Sequence, residues 1–333
     1  MKTLPVTLLT GFLGSGKTTL LKHLLGSAEF SNTVVIINEF GEVGIDHLIV
    51  ANLSESIVEL RNGCLCCTIR GDLALTVHDL LYRRQLGDIP RFDRIVIETS
   101  GVADPVPLAH TLMVTPALAK AVHLERIVTV VDALNAAATL PGHETATDQV
   151  ALADLVVVSK TDLASDAELA ATIRLVEGIN PAAGRVSAAQ GEVPARLLVD
   201  ADRRDPARRA GLVAEWIGRH GAHGHDEGAA HEHLAHYTSH VCQHPQALSL
   251  AGTTVFLNRV VNELGPRILR IKGIAGFREK GGRPALVHAV QNKFYPLEWL
   301  DAWPDGDHAS RLVFIGRDLD VAAIQSRFEA LCV

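Results

Sequence analysis

No excess of basic charge marks this chain: 31 Lys and Arg stand against 38 Asp and Glu, a net of −7. That balance excludes the broad cationic surface a nucleic acid or an anionic lipid would need. Cysteine is scarce too, and three of the five fall within one four-residue window. Such clustering is no disulfide framework and suits a reducing compartment. No apolar run approaches membrane-spanning length. The first apolar strand runs straight into a glycine-rich loop, so it cannot double as a signal peptide. Internal repeats are absent as well. A cytoplasmic protein with no nucleic-acid and no membrane partner is the expectation. At 333 residues the chain can build one large or two ordinary domains with full cores.

What is present begins with GFLGSGKTT, Gly11 to Thr19. Gly11, Gly16, Lys17 and Thr18 fit G-x-x-x-x-G-K-[ST], and the loop sits between an apolar strand, Val6 to Thr10, and a leucine-spaced helix, Thr19 to Leu25. Phosphate binding needs glycines at Gly11, Gly14 and Gly16, with Ser15, Thr18 and Thr19 beside them, because backbone N–H groups must turn inward where side chains would collide. Lys17 would neutralise the β and γ phosphates, and the Thr18 hydroxyl would hold Mg²⁺. A ligand-free glycine-rich turn is the competing reading.

Apolar strand candidates follow at Val34 to Asn38, Ile57 to Leu60, Arg94 to Glu98, Ile127 to Val131 and Leu155 to Ser159, alternating with helices. Near-continuous β-branched runs predict a parallel sheet covered on both faces, hence a doubly wound α/β fold with its ligand at the strands' carboxyl ends. From His220 to His244 the chain holds eight of its sixteen histidines and reads as a linker. Strand and helix signals resume from Thr253 and end in an amphipathic helix carrying Ile324, Phe328 and Leu331. The predicted domains are residues 1–212, a linker over 213–247 and a small α+β domain over 248–333.

Two further motifs keep the order a GTPase requires. RIVIETSG ends a strand in Glu98, suited to a Mg²⁺-bound water, and its Gly101 amide could sense a γ-phosphate. LVVVSKTD places Asp162 to accept from guanine N1–H and its exocyclic amine, with the Lys160 stem over the base. A helix-capping aspartate is the bland alternative. Between these motifs lies GCLCC, Gly63 to Cys67. Thiolates at Cys64, Cys66 and Cys67 suit Zn²⁺, Cu(I) or Co²⁺, with further ligands available from Glu39, Glu42 or Asp46. Ordinary buried cysteines and redox chemistry compete with that reading. The histidines add H-x-H pairs at His223/His225 and His231/His233. His236, His240 and His244 would share one face if helical, so the segment is either a metal reservoir or a solvated spacer.

The ordered series GFLGSGKTT, NEFGEVGID, NGCLCC, ETSG, SKTD, a His-rich linker and SRLVFIGRDLD resembles the CobW-type metallochaperone GTPases, P-loop proteins akin to the nickel-insertion GTPases of urease and hydrogenase. The resemblance covers essentially the whole chain. It implies GTP hydrolysis coupled to binding Zn²⁺ or Co²⁺ and delivering it to a client metalloprotein or metal-cofactor enzyme, with a CobW-like C-terminal domain. Ser159 departs from the family, which commonly has Asn there. Water attack would rest on Lys17, Mg²⁺ on Thr18, and an acid such as Glu39. A nucleotide- or metal-dependent homodimer is the expected assembly. Two rivals stay open: metal storage or sensing with a vestigial GTPase, and a P-loop small-molecule kinase, although no Arg-rich lid is visible.

Overall fold

A computed structural model describes residues 3–38, 57–59, 68–198, 236–304 and 306–332. They divide into two compact units, one built on a parallel sheet and the other on an antiparallel one.

The parallel sheet holds β1 (Leu4–Thr10), β2 (Thr33–Asn38), β3 (Ile57–Glu59), β4 (Arg94–Thr99), β5 (Val122–Asp132), β6 (Leu155–Ser159) and β7 (Gly184–Ser187), in the order β3-β2-β4-β1-β5-β6-β7. All six pairings are parallel. The sequence explains this: Val6, Leu8, Leu9, Ile95, Val96, Ile97, Val156 and Val157 are all buried, and consecutive buried residues on one strand require cover on both faces. Each such side chain contributes about 1.5–3 kcal/mol through removal from water. β7 is an addition to the expected strands. The helix Lys17–Leu25 directs Leu20, Leu21 and Leu24 into the same core as Leu9, Val35 and Val128. Because β4 inserts between β2 and β1, successive connections leave β1 toward opposite edges, and a crevice opens beyond its carboxyl end.

The second unit begins among the described residues with β8 (Tyr237–His244), followed by β9 (Ile268–Phe277), β10 (Arg283–Val290), β11 (Lys293–Phe294), β12 (Glu298–Trp299) and β13 (Ser310–Arg317). Its order is β11-β10-β9-β13-β8, with β12 on β10, and every pairing is antiparallel. Helices Leu250–Leu264 and Val321–Cys332 supply Phe256, Val260, Ile324 and Phe328 to the core that also holds Ile271, Val287 and Phe314. The first of these helices is capped by Ser249, whose hydroxyl accepts from the Gly252 amide, and by Glu279, which accepts from the Leu250 amide.

β8 corrects one expectation. Residues 237–244 are an edge strand along the whole of β13, not linker. His236, His240 and His244 therefore do not share a helical face: at about 3.3 Å per residue, His240 and His244 lie roughly 13 Å apart along the strand. Each has its own hydrogen-bond partner instead, His236 with Asp318 at 2.9 Å, His240 with Gln325 at 3.0 Å and His244 with the Gln246 carbonyl at 3.2 Å. The other four chelation candidates, His223, His225, His231 and His233, lie outside the described residues.

Candidate nucleotide site

Since β1, β4, β5 and β6 run parallel, their carboxyl ends at Thr10, Thr99, Asp132 and Ser159 line one edge, and the loops that follow converge there. Gly11 opens the first loop at φ +143°. A Cβ there would stand 2.4 Å from the Val130 carbonyl oxygen and 2.8 Å from Ser15 Oγ, so only glycine lets the loop press onto β5. The Ser15 amide closes the turn on the Phe12 carbonyl at 3.2 Å. Ser15 Oγ is buried with no hydrogen-bond partner among the described residues. An orphaned hydroxyl of this kind costs about 1–3 kcal/mol, which a bound oxyanion would relieve.

The helix Lys17–Leu25 starts at this loop, aiming its first amides and its dipole at whatever the loop holds. Lys17 is buried, and its ammonium is folded back onto the Gly11 and Phe12 carbonyls at 2.8 and 3.1 Å. Thr18 Oγ1 donates to Glu98 Oε1 at 3.0 Å. A hydroxyl and a buried carboxylate in contact form a hard oxygen pair, the donor type Mg²⁺ takes. Beyond β4, Gly101 lies so close to the phosphate loop that a Cβ would meet the Leu13 amide nitrogen at 2.6 Å. Glycine is required at Gly101 for that approach. The structure thus brings Gly11, Gly14, Ser15, Gly16, Lys17, Thr18, Glu98 and Gly101 together at one strand edge, with Thr19 exposed on the helix's first turn.

The second part of this edge forms at β6. Ser159 Oγ donates to the Ser15 carbonyl at 2.6 Å, tying this strand end to the phosphate loop. Lys160 adopts a left-handed φ of +58°, a backbone strain that persists only where surroundings enforce it. Its ammonium is 2.7 Å from Asp132 Oδ2. Burial pushes the Asp132 carboxyl upward, but hydrogen bonds from Lys160, Asn135 and the Leu134 amide outweigh burial and hold it below the usual carboxylate range. Asp162 is exposed in the turn that Leu163 and Ala164 amides close on the Lys160 carbonyl. The next loop adds a wall that the motifs did not reveal. Thr161 donates to the Ala188 carbonyl at 3.3 Å, and Gly191 approaches the Thr19 backbone to within 3.0 Å of where its Cβ would be.

Beside the phosphate loop, a cavity of about 270 Å³ is lined by residues 12–15, 129–132, His143, Gln149 and Lys160. Gln149 and Asp132 are further residues the motifs missed. The signal for Asp132 was the acid ending an apolar strand, VVD. Glu39, Cys64, Cys66 and Cys67 lie outside the described residues, as do Glu42 and Asp46. Among the described residues no cluster of three His, Cys, Asp or Glu could hold a metal, and no helix is long and apolar enough to cross a membrane.

Comparison with known proteins agrees with this geometry. Residues 5–186 match the family described as "CobW/HypB/UreG, nucleotide-binding domain", and residues 237–332 match "Cobalamin synthesis protein cobW C-terminal domain". "Zinc chaperone CobW" of Pseudomonas aeruginosa is 37% identical over 372 residues, covering 98% of this chain and 92% of that protein. "Zinc chaperone YjiA" of Escherichia coli is 31% identical over 331 residues, covering 99% of each. The crystal structure of Zn(II)-bound YjiA GTPase from E. coli superposes with a TM-score of 0.71 over 99% of both chains, at 26% identity.

Proposed function

Since the chain belongs to the CobW/HypB/UreG family, as a P-loop GTPase with the family's C-terminal domain, we propose that it is a zinc metallochaperone that loads a client metalloprotein in step with GTP hydrolysis. The observation that carries this reading is the convergence of Lys17, Thr18, Glu98 and Gly101 at one strand edge, 3.0 Å separating the Thr18 hydroxyl from the Glu98 carboxylate.

In this reading, Gly11, Gly14, Ser15, Gly16 and Thr19 wrap the phosphates, and Lys17 exchanges its two loop carbonyls for β- and γ-phosphate oxygens. The Thr18 hydroxyl would hold Mg²⁺ and Glu98 a Mg²⁺-bound water, the ion supplying charge neutralisation at the phosphates. Glu39 orients the attacking water, and the Gly101 amide reports whether the γ-phosphate is present. Asp162 selects guanine, and Lys160, held from behind by Asp132, lays its stem on the base. Ser159 ties this strand end to the phosphate loop through its bond to the Ser15 carbonyl. Cys64, Cys66 and Cys67 hold the cargo, Zn²⁺ by the relatives' names, with Co²⁺ acceptable to the same thiolates. GTP orders the segments flanking the thiols and completes the metal site; hydrolysis loosens it and releases the ion, within a nucleotide- or metal-dependent homodimer.

The test is GTP turnover with and without Zn²⁺. Zinc should stimulate hydrolysis by the wild-type chain and leave a variant with Cys64, Cys66 and Cys67 all changed to Ser unaffected. Identical metal response in both would remove the thiols from the mechanism. Zinc bound without any effect on turnover would favour storage.

A further inference from the structure

Gln149 is fully buried, in the helix Glu144–Leu152, yet no part of the mechanism above uses it. Its Nε2 donates to the Gly101 carbonyl at 3.3 Å and to the Ala103 carbonyl at 3.1 Å. These two carbonyls bracket Val102, which is 51% exposed at the tip of the loop after β4. One amide group therefore holds two carbonyls of this loop, and Leu13 of the phosphate loop crowds Gly101. The amide oxygen is buried without a partner among the described residues, so the side chain gives up an acceptor to commit both donors to this loop. The platform beneath it is stiff. Residues 146–152 are all buried, Thr129 of β5 donates to the Gln149 carbonyl at 2.6 Å, and Thr147 donates to the Leu140 carbonyl.

We infer that Gln149 is a positioning residue for the γ-phosphate response: its two hydrogen bonds to the Gly101 and Ala103 carbonyls anchor the loop in which the Ala103 amide donates to the Ser100 carbonyl at 3.1 Å, and that bond fixes the Ser100–Gly101 peptide plane carrying the Gly101 amide. This rests on the reading of Gly101 as the γ-phosphate contact. Fixing the plane in advance spares the ordering cost at the moment GTP binds, whereas GDP presents nothing for that amide to meet.

The experiment measures affinities of the full chain, with Mg²⁺, for fluorescent GDP and for a fluorescent non-hydrolysable GTP analogue. Gln149→Met keeps the length and removes both donors. Its preference for the GTP analogue over GDP should fall about tenfold, the worth of one to two hydrogen bonds, with GDP affinity unchanged. Gln149→Glu supplies a second readout. Ionised, it repels both carbonyls and should lose the preference; as pH falls and the carboxyl protonates, it regains a donor and the preference should partly return. Melting curves accompany both variants, because a purely structural glutamine would lower melting and leave the GTP-to-GDP ratio at the wild-type value. That result, or a pH-independent ratio in Gln149→Glu, overturns the proposal. Failure of the underlying Gly101 reading looks different: the wild-type chain itself would then bind both nucleotides equally.

Discussion

Gly101 in the first unit and Gly273 in the second both lack room for a Cβ. A Cβ would stand 2.6 Å from the Leu13 amide nitrogen in one case and 2.2 Å from the Arg311 carbonyl oxygen in the other. Gly273 lies inside β9, between Val287 of β10 and Leu312 of β13, where close approach lets three antiparallel strands pack. Gly101 lies beyond the end of β4, where close approach sets one loop against the glycine-rich loop after β1. Crowding alone does not separate a packing glycine from a functional one. What distinguishes Gly101 is the strand edge it shares with a buried lysine held on two loop carbonyls and a buried acid that accepts from a hydroxyl, charged groups that packing alone gives no reason to bury.

The largest effect expected on the functional side of this comparison is that of Lys17→Ala. Turnover should fall by about 10²–10³, as when one preorganised electrostatic partner is lost, with the chain still folded. Retained turnover, measured by phosphate release, would move the chemistry away from this loop. Next in size is base choice. Asp162→Asn should cost GTP roughly ten- to a hundredfold in affinity, the worth of hydrogen bonds to a charged group, and shift preference toward xanthine nucleotides. A wild-type chain that hydrolyses ATP as readily as GTP would contradict the assignment.

The two glycines make the sharpest contrast. Gly273→Ala should destabilise the fold by about 1–3 kcal/mol through overpacking, read by denaturant unfolding, with the GTP-to-GDP affinity ratio unchanged. Gly101→Ala should change that ratio and turnover with a smaller loss of stability. The reverse pattern would dissolve the distinction.

The smallest effect concerns the Asp132–Lys160 pair. A carboxyl held below its ordinary value of 3.8 contributes stability above the normal carboxylate range and loses it as pH falls through the lowered folded value. GTP affinity should therefore show no Asp132-dependent change between about pH 5 and 8, and Asp132→Asn should flatten the acid limb of the stability curve below about pH 4. An Asp132-dependent loss of GTP binding near neutral pH would contradict this.

Much of the nucleotide edge was legible in the sequence because each part is local. Glycine spacing, an acid at a strand end and Lys-x-Asp after a β-branched run each carry their own chemistry. The doubly wound sheet was readable for the same reason, from consecutive apolar residues. β7 was not, since Gly184–Ser187 is short and only partly buried. β8 was hidden by composition: its histidines suggested a linker, and only its pairing with β13, some seventy residues later in the chain, makes it a strand. Gln149 was out of reach, because it acts on carbonyls 46 and 48 residues away and carries no motif of its own.

The central claim is that the thiol cargo site and the nucleotide edge are one thermodynamic system. Co²⁺ binding, followed through its thiolate charge-transfer absorption in the Mg²⁺-GTP-analogue and Mg²⁺-GDP forms of the full chain, tests it directly. The account predicts tighter binding with the GTP analogue by about 1–3 kcal/mol, with the metal tightening the analogue by the same factor. It also predicts that the band is lost when Cys64, Cys66 and Cys67 are changed to Ser. Equal Co²⁺ affinity in the two nucleotide forms would contradict delivery driven by hydrolysis and leave storage as the better account.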